Sequence, residues 1–270
     1  MLILILLLLS LAPAVPLYLN AGIWLALGGF VGCFLLLALA VFLYLLHLCR
    51  KVDQNVPQER IDPHYERVTH WILESVLPIL RIRIRIHGLE KMPRSGRFLL
   101  VCNHCNDSDP IILLRALRKY QLAFISKKEN SSMFVIGPMM HKLLCQLINR
   151  ENDREALKTI LKCIEILKED KASVAVFPEG GILTEDGKLH PFKPGVFKIA
   201  QKANVPIVVC TLKNTKDVVK NILRFRGSRV ELNVLEVVPA EMVKTQKTVE
   251  IAQYCHDLMA ADLGPDLVAE

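Results

Sequence analysis

The segment Asn103-His104-Cys105-Asn106-Asp107-Ser108-Asp109-Pro110 puts one imidazole and two carboxylates into a short turn. It follows the apolar run Leu99-Leu100-Val101-Cys102, which reads as a strand. Asp109-Pro110 reads as a helix start, with an acid at the cap and proline in the first turn. Across such a strand-to-helix turn, Asp107 or Asp109 can fold back onto His104. A carboxylate that orients one imidazole nitrogen leaves the other as a general base. The same residues could also serve only as turn and cap groups. No G-x-S-x-G elbow occurs, and Ser108 lies between His104 and Asp109 rather than on an elbow of its own. A His–Asp pair without a protein nucleophile suits activation of a hydroxyl carried by a substrate.

Two further groups could work beside it. Phe177-Pro178-Glu179-Gly180-Gly181 also follows an apolar run, and two glycines after a carboxylate let backbone approach a ligand closely. Glu179 could hold a substrate hydroxyl there, or be the solvated acid of a turn. The basic residues Lys127, Lys128 and Arg150 follow apolar runs, Arg154 comes one turn after Arg150, and Lys193 lies in a Gly/Pro loop. Such side chains can clamp a phosphate, Arg best of all through its bidentate fork. Taken singly, each also fits ordinary surface charge.

Positioning these groups requires a scaffold. Arg81 to Ile86 alternates Arg and Ile, so a strand there turns Ile82, Ile84 and Ile86 inward and three arginines outward. The arginine face could be solvated or lie against anionic headgroups. Neither aromatic interleaving nor a nucleic-acid motif accompanies it, so nucleic acid is not an expected partner. Further strands are expected at 97–102, 122–126, 172–177, 206–212 and 229–238. Helices are expected at 110–119, 132–146, 153–169, 196–203 and 241–262. Strands alternating with helices indicate an α/β fold, a single mixed and largely parallel sheet flanked by helices. Its functional groups should gather at the strand ends.

The N-terminal part has a different composition. The chain has a formal net charge of +7, yet no Lys, Arg, Asp or Glu occurs from Met1 to Cys49. That excludes an ordinary soluble protein, and 52% hydrophobic residues exclude intrinsic disorder. The two apolar runs, Leu2–Leu19 and Ile23–Leu48, read as a membrane hairpin broken around Pro13, Pro16, Asn20 and Gly22. No basic residue precedes the first run, which argues against a cleaved leader. Arg50 and Lys51 just past the hairpin put the following domain on the cytoplasmic side. The expected organisation is therefore a hairpin over 1–49, a linker and amphipathic helix over 50–80, and a catalytic domain over 81–270. The helix at 64–80 carries Tyr65, Val68, Trp71, Ile72, Val76 and Ile79 at helical spacing, and could lie on a membrane surface or pack on the domain. Eight cysteines are scattered through mostly apolar runs and read as reduced core thiols. Cys102 and Cys105 form C-x-x-C, but a zinc site would want a second ligand pair at similar spacing, so no metal is expected.

Together these segments resemble the glycerolipid acyltransferases, the family of 1-acyl-glycerol-3-phosphate acyltransferases. The family's N-H-x-x-x-x-D is matched by Asn103, His104 and Asp109, which favours Asp109 over Asp107. A later apolar segment ending in arginine is matched by Leu147-Ile148-Asn149-Arg150. F-P-E-G-T-R is matched by Phe177 to Gly180 and then broken, and V-P-I-V is matched by Val205 to Val208. The likeness runs from about Gly88 to Val238. It implies a membrane-bound enzyme with His104 as base and Asp109 as its orienting partner. Acyl-CoA or acyl carrier protein would be co-substrate, with no further cofactor. Lysophosphatidic acid would be acceptor, with Arg150 and Lys127 or Lys128 on its phosphate and Glu179 on its glycerol. The departure is local: Gly181 and Ile182 replace the family's Thr and Arg. If that arginine binds phosphate in the family, Arg150, Arg154 or Lys193 must serve here, or the acceptor is another lysophospholipid, glycerol 3-phosphate or an amino-acid lipid. A silent lipid-binding scaffold and a hydrolase using water as acceptor are the readings from other classes.

Overall fold

The computed structural model describes residues 2–182 and 186–269. It opens with two long apolar helices, α1 (Leu2–Ala21) and α2 (Ile23–Arg50), which pack on each other. At 20 residues α1 is about 30 Å long, close to a hydrocarbon core. By length and composition both helices could cross a membrane. The break between them lies at Gly22 alone, whose φ of +85° suits a residue without a Cβ. Pro13 and Pro16 stay inside α1, contrary to the expected break. Each proline removes one amide donor, but a helix still satisfies the other amides, and the Asn20 amide donates to the Pro16 carbonyl.

Helix α3 (Pro63–Ile79) is capped by Asp62, whose carboxylate accepts from the amides of His64 and Tyr65. It packs on the domain, burying Tyr65, Val68, Leu73 and Leu77. Its inward stripe differs from the expected one, because Val76 and Ile79 are exposed while Leu73 and Leu77 enter the core. The Tyr65 hydroxyl donates to the Leu48 carbonyl and Tyr44 meets His64, so α3 ties the end of α2 to the rest.

The remaining elements, in order, are β1 (Ile82–His87), β2 (Leu99–Cys102), α4 (Asp109–Ala116), β3 (Leu122–Lys127), α5 (Ile136–Lys142), β4 (Gln146–Ile148), α6 (Asp153–Lys168) and β5 (Ser173–Val176). Then come α7 (Lys198–Ala203), β6 (Ile207–Lys213), α8 (Val218–Leu223), β7 (Ser228–Val238), α9 (Ala240–Thr245) and α10 (Thr248–Leu263). The strands form one sheet in the order β1-β7-β6-β2-β5-β3-β4. All pairs are parallel except β6 with β7, so the sheet is mixed and largely parallel as expected.

Side-chain alternation splits the core into two layers. On one face, Leu99, Val101, Val174, Val176, Ile207 and Val209 pack against α6, α7 and α10. On the other, Leu100, Cys102, Ala175, Val208, Cys210 and Leu212 pack against α3 and α4. β1 buries Ile82 and exposes Arg83 and Arg85, as its alternation requires. All eight cysteines are free thiols.

Several elements differ from the sequence reading. The helix expected over 132–146 shrinks to α5, because Lys128–Ser132 winds as a 3-10 turn and Leu144 turns the chain with φ +60° into β4. The helix expected over 241–262 is two, α9 and α10, divided at Gln246 and Lys247, where the Glu250 carboxylate caps the Lys247 amide. α8 and β4 are short elements without a period long enough to read.

Asn103, just past β2, continues the sheet with its side chain. Its carbonyl oxygen accepts from the Leu212 amide at 2.7 Å, and its amide donates to the Leu212 carbonyl at 2.9 Å. The residue is 1% exposed. Asn103→Ala leaves a buried donor and a buried acceptor unpaired, so it should cost about 2–4 kcal/mol of unfolding free energy. Denaturant titration in detergent checks this; a change within about 0.5 kcal/mol would show that water satisfies the Leu212 backbone instead.

Candidate active site

β2 and β5 are neighbours, and their C-terminal ends deliver His104 and Glu179 side by side. The turn from β2 into α4 is shaped by one carboxylate. Asp109 is fully buried, and its Oδ2 accepts from the Cys105 amide at 2.7 Å and the Asn106 amide at 2.8 Å. The same oxygen lies 3.0 Å from His104 Nδ1. The turn amides therefore hold the carboxylate in place, and the carboxylate holds the ring. Pro110 follows in the first turn of α4.

The ring is fixed from a second direction. Phe177, at the end of β5, stacks on His104 with centroids 4.1 Å apart and planes 15° apart. That contact limits ring rotation about χ2 and covers one face. An imidazole held through Nδ1 can take a proton at Nε2. Two other groups in the turn are poor nucleophiles. Burial, with Asp109 nearby, pushes the Cys105 thiol up to about 12. Ser108 Oγ is buried and has no hydrogen-bond partner among the described residues.

Glu179 has partners that the sequence reading did not foresee. It is 2% exposed, and both its oxygens meet backbone donors. The His104 amide donates to Oε1 at 2.8 Å and the His190 amide to Oε2 at 3.0 Å. Glu179 thus ties the His104 turn to the 187–193 loop, where hydroxyl binding was expected. The Lys193 amide donates to the Pro178 carbonyl and closes the same loop. Burial pushes the Glu179 carboxyl up to about 7; Asp109 and Asp186 add to the rise, and the two backbone donors oppose it.

The glycine pair after Glu179 receives two cations. Gly180 has φ +87° and lies under the Lys193 side chain, whose terminal atoms would overlap a Cβ built there. Gly181 has φ +142°, and a Cβ there would overlap the Arg150 guanidinium. Arg150 thus occupies space that any side chain at 181 would contest. Lys127 ends β3 and Lys128 starts the 3-10 turn after it, across β5 from His104, and Arg154 lies in the first turn of α6; all three are exposed. His104, Asp109, Glu179, Gly180, Arg150 and Lys193 are therefore brought together, while Lys127, Lys128 and Arg154 flank them. Among the described residues, no group of three or more His, Cys, Asp or Glu is arranged to hold a metal ion.

Asn103 and Phe177 were visible only as motif letters. Their roles, bridging β2 to β6 and bracing the imidazole, depend on strands distant in sequence. His190 contributes its backbone, which no side-chain pattern could signal.

The Glu179 environment gives a pH prediction. Its carboxyl is higher in the folded chain than its ordinary value, so the folded state favours the neutral form. That contribution is complete below the ordinary carboxylate range and is lost as pH rises through about 7. Between pH 5 and 8 the native chain should therefore lose stability relative to Glu179→Gln, by on the order of 3 kcal/mol at most. Parallel denaturant titrations across that range check it; two curves of equal slope would place Glu179 at an ordinary carboxylate value.

The chain is similar to known proteins in sequence and in fold. A family model described as Acyltransferase matches residues 83–213. The chain is 36% identical over 146 residues to a chloroplastic 1-acyl-sn-glycerol-3-phosphate acyltransferase of Brassica napus, covering 54% of this chain and 41% of that protein. The chain thus spans less than half the length of that relative. It is 24% identical over 259 residues to the beta 1-acyl-sn-glycerol-3-phosphate acyltransferase of Homo sapiens, covering 96% of this chain and 87% of the human one. In fold it is similar to the crystal structure of the 1-acyl-sn-glycerophosphate acyltransferase PlsC from Thermotoga maritima, with a TM-score of 0.63, 21% identity, and coverage of 82% and 86% of the two chains. Residues 83–213, the stretch similar to the Acyltransferase family model, include His104, Asp109, Arg150, Glu179 and Lys193.

Proposed function

We propose that this chain transfers a fatty acyl group from a thioester to the free hydroxyl of 1-acylglycerol 3-phosphate, making phosphatidic acid. The observation that carries the reading is a His104–Asp109 pair held at 3.0 Å in a turn with no usable protein nucleophile. The hydroxyl to be activated must then arrive with a substrate. His104 Nε2 takes the proton of that hydroxyl as its oxygen attacks the thioester carbonyl carbon. The tetrahedral intermediate collapses by breaking the C–S bond, and the proton on His104 passes to the departing sulfur. Asp109 steadies the imidazolium in between. The names of the Brassica and human relatives support this acceptor, and acyl-CoA or acyl carrier protein is the proposed donor.

Arg150 and Lys193, on the glycine pair, are the proposed phosphate ligands. They supply the charge that the family's arginine after F-P-E-G-T would bring and that Ile182 does not. Lys127, Lys128 and Arg154 would add field from the flank rather than direct contact. Glu179 would position the His104 turn rather than touch the glycerol. The apolar pair α1 and α2 would sit in the bilayer, with Arg50 and Lys51 marking the cytoplasmic side where the soluble donor is met.

The test uses the full chain in detergent, a labelled thioester and a panel of acceptors. Transfer to lysophosphatidic acid should be measurable and should fall by about 10²–10⁴-fold in His104→Ala. Asp109→Asn should lower the rate by about 10²-fold or more with substrate binding retained. Release of free fatty acid without acceptor would favour a hydrolase. No transfer to any acceptor would leave only a lipid-binding scaffold.

A further inference from the structure

The corner between α8 and β7 combines features that nothing among the described residues explains. Phe225 is 88% exposed and Leu223 76%, with Val219 exposed beside them. α8 ends in a paired-bond cap: the Arg226 amide donates to the Asn221 carbonyl and the Phe225 amide to the Ile222 carbonyl. Phe225 occupies the left-handed position of that cap with φ +55°, where glycine or asparagine normally sits. A bulky aromatic is therefore held in an unfavourable backbone conformation and pointed at solvent, with no core contact in return.

The charges around it share one sign. Arg224 and Arg226 flank Phe225 directly and are exposed. Arg81 reaches across from the end of α3 to the Phe225 carbonyl, and exposed Arg83 stands in register with Arg229 on β7. Lys220, on α8, is paired with Asp217. An apolar tip within a collar of arginines matches the interfacial layer of an anionic bilayer, where aromatic rings sit at headgroup level and guanidinium groups meet phosphates. The place fits too. β6 runs parallel to β2 and β7 antiparallel to β6, so the corner lies at the sheet end where His104 emerges.

We propose that the α8–β7 corner is a second membrane contact. Leu223 and Phe225 enter the headgroup layer, and Arg224, Arg226 and Arg81 hold anionic lipid phosphates. The contact is separate from the α1–α2 pair and keeps the His104 end of the sheet at the lipid surface. Only the idea that lipid arrives from this side rests on the acyltransferase reading.

The α1–α2 pair would attach the chain to vesicles in any case, so bulk vesicle binding is uninformative. The probe is local: Phe225→Trp in a Trp24→Phe, Trp71→Phe background, with the full chain reconstituted in phosphatidylcholine vesicles with or without phosphatidylglycerol. Residue 225 is exposed, so the substitution leaves the core untouched. Trp at 225 should shift to shorter emission wavelength and be quenched by lipids brominated high on the acyl chain. Both effects should strengthen with phosphatidylglycerol and be lost on adding Arg224→Glu with Arg226→Glu. Emission that stays water-like, resists brominated lipid and remains open to acrylamide would overturn the proposal. So would burial that rises with protein density without lipid quenching, since the corner would then meet a second copy. Acyl transfer measured in the same vesicles separates the two ideas: quenching without transfer leaves the contact standing and removes the proposed activity.

Discussion

A single buried carboxylate oxygen organises this molecule's candidate site. Asp109 Oδ2 gathers two backbone amides and one imidazole nitrogen, all within 3.0 Å. Taking a carboxylate fully out of water is costly unless donors replace the lost solvent. The turn supplies those donors to Oδ2, while Oδ1 is buried with no partner among the described residues, so the shape of the His104–Asn106 backbone and the position of the acid are mutually dependent. The imidazole is then oriented by a group that cannot move without unmaking the turn. The parallel strands exist, in this view, to place that turn: β2 starts it, α4 carries Asp109 back into it, and Asn103 locks its base onto β6.

Glu179 is the second organising acid, of a different kind. It faces the back of the same turn, accepts the His104 amide, and reaches the 187–193 loop through the His190 amide. With Phe177 beside it, the segment ending β5 braces both the backbone and the ring of His104. The glycines that follow have no side chains, and Lys193 and Arg150 lie over them. The result is an imidazole beside two cations, the arrangement on which the proposed hydroxyl- and phosphate-bearing acceptor rests. A backbone bond from the Lys193 amide to the Pro178 carbonyl holds one cation's segment, whereas side-chain bonds of Asn149 and Thr159 shape the segment of Arg150.

Much of this was legible in the sequence because it is local or periodic. The strand before His104, the helix start at Asp109-Pro110 and the Arg/Ile alternation of β1 each follow from neighbouring residues. The His104–Asp109 spacing shows that the two can meet, although only the family pattern chose Asp109 over Asp107. What stayed hidden depends on chain segments far apart. Glu179 reads as a ligand for substrate because its neighbours are glycines, and its two backbone partners lie 75 and 11 residues away. Arg150 approaches Gly181 only because β4 joins the sheet, and β4 is three residues long. The Leu73 and Leu77 stripe of α3 was misassigned because its apolar residues outnumber the positions that one face can bury.

The central claim is that Asp109 fixes His104 with its proton on Nδ1 and leaves Nε2 free to act as base. Nitrogen-15 NMR of histidine-labelled protein in detergent, at a pH where the ring is neutral, reads this directly. The account predicts that His104 is in the Nδ1–H tautomer and that Asp109→Asn abolishes this preference. An Nε2–H tautomer in the native chain, or one unaltered by Asp109→Asn, would contradict it.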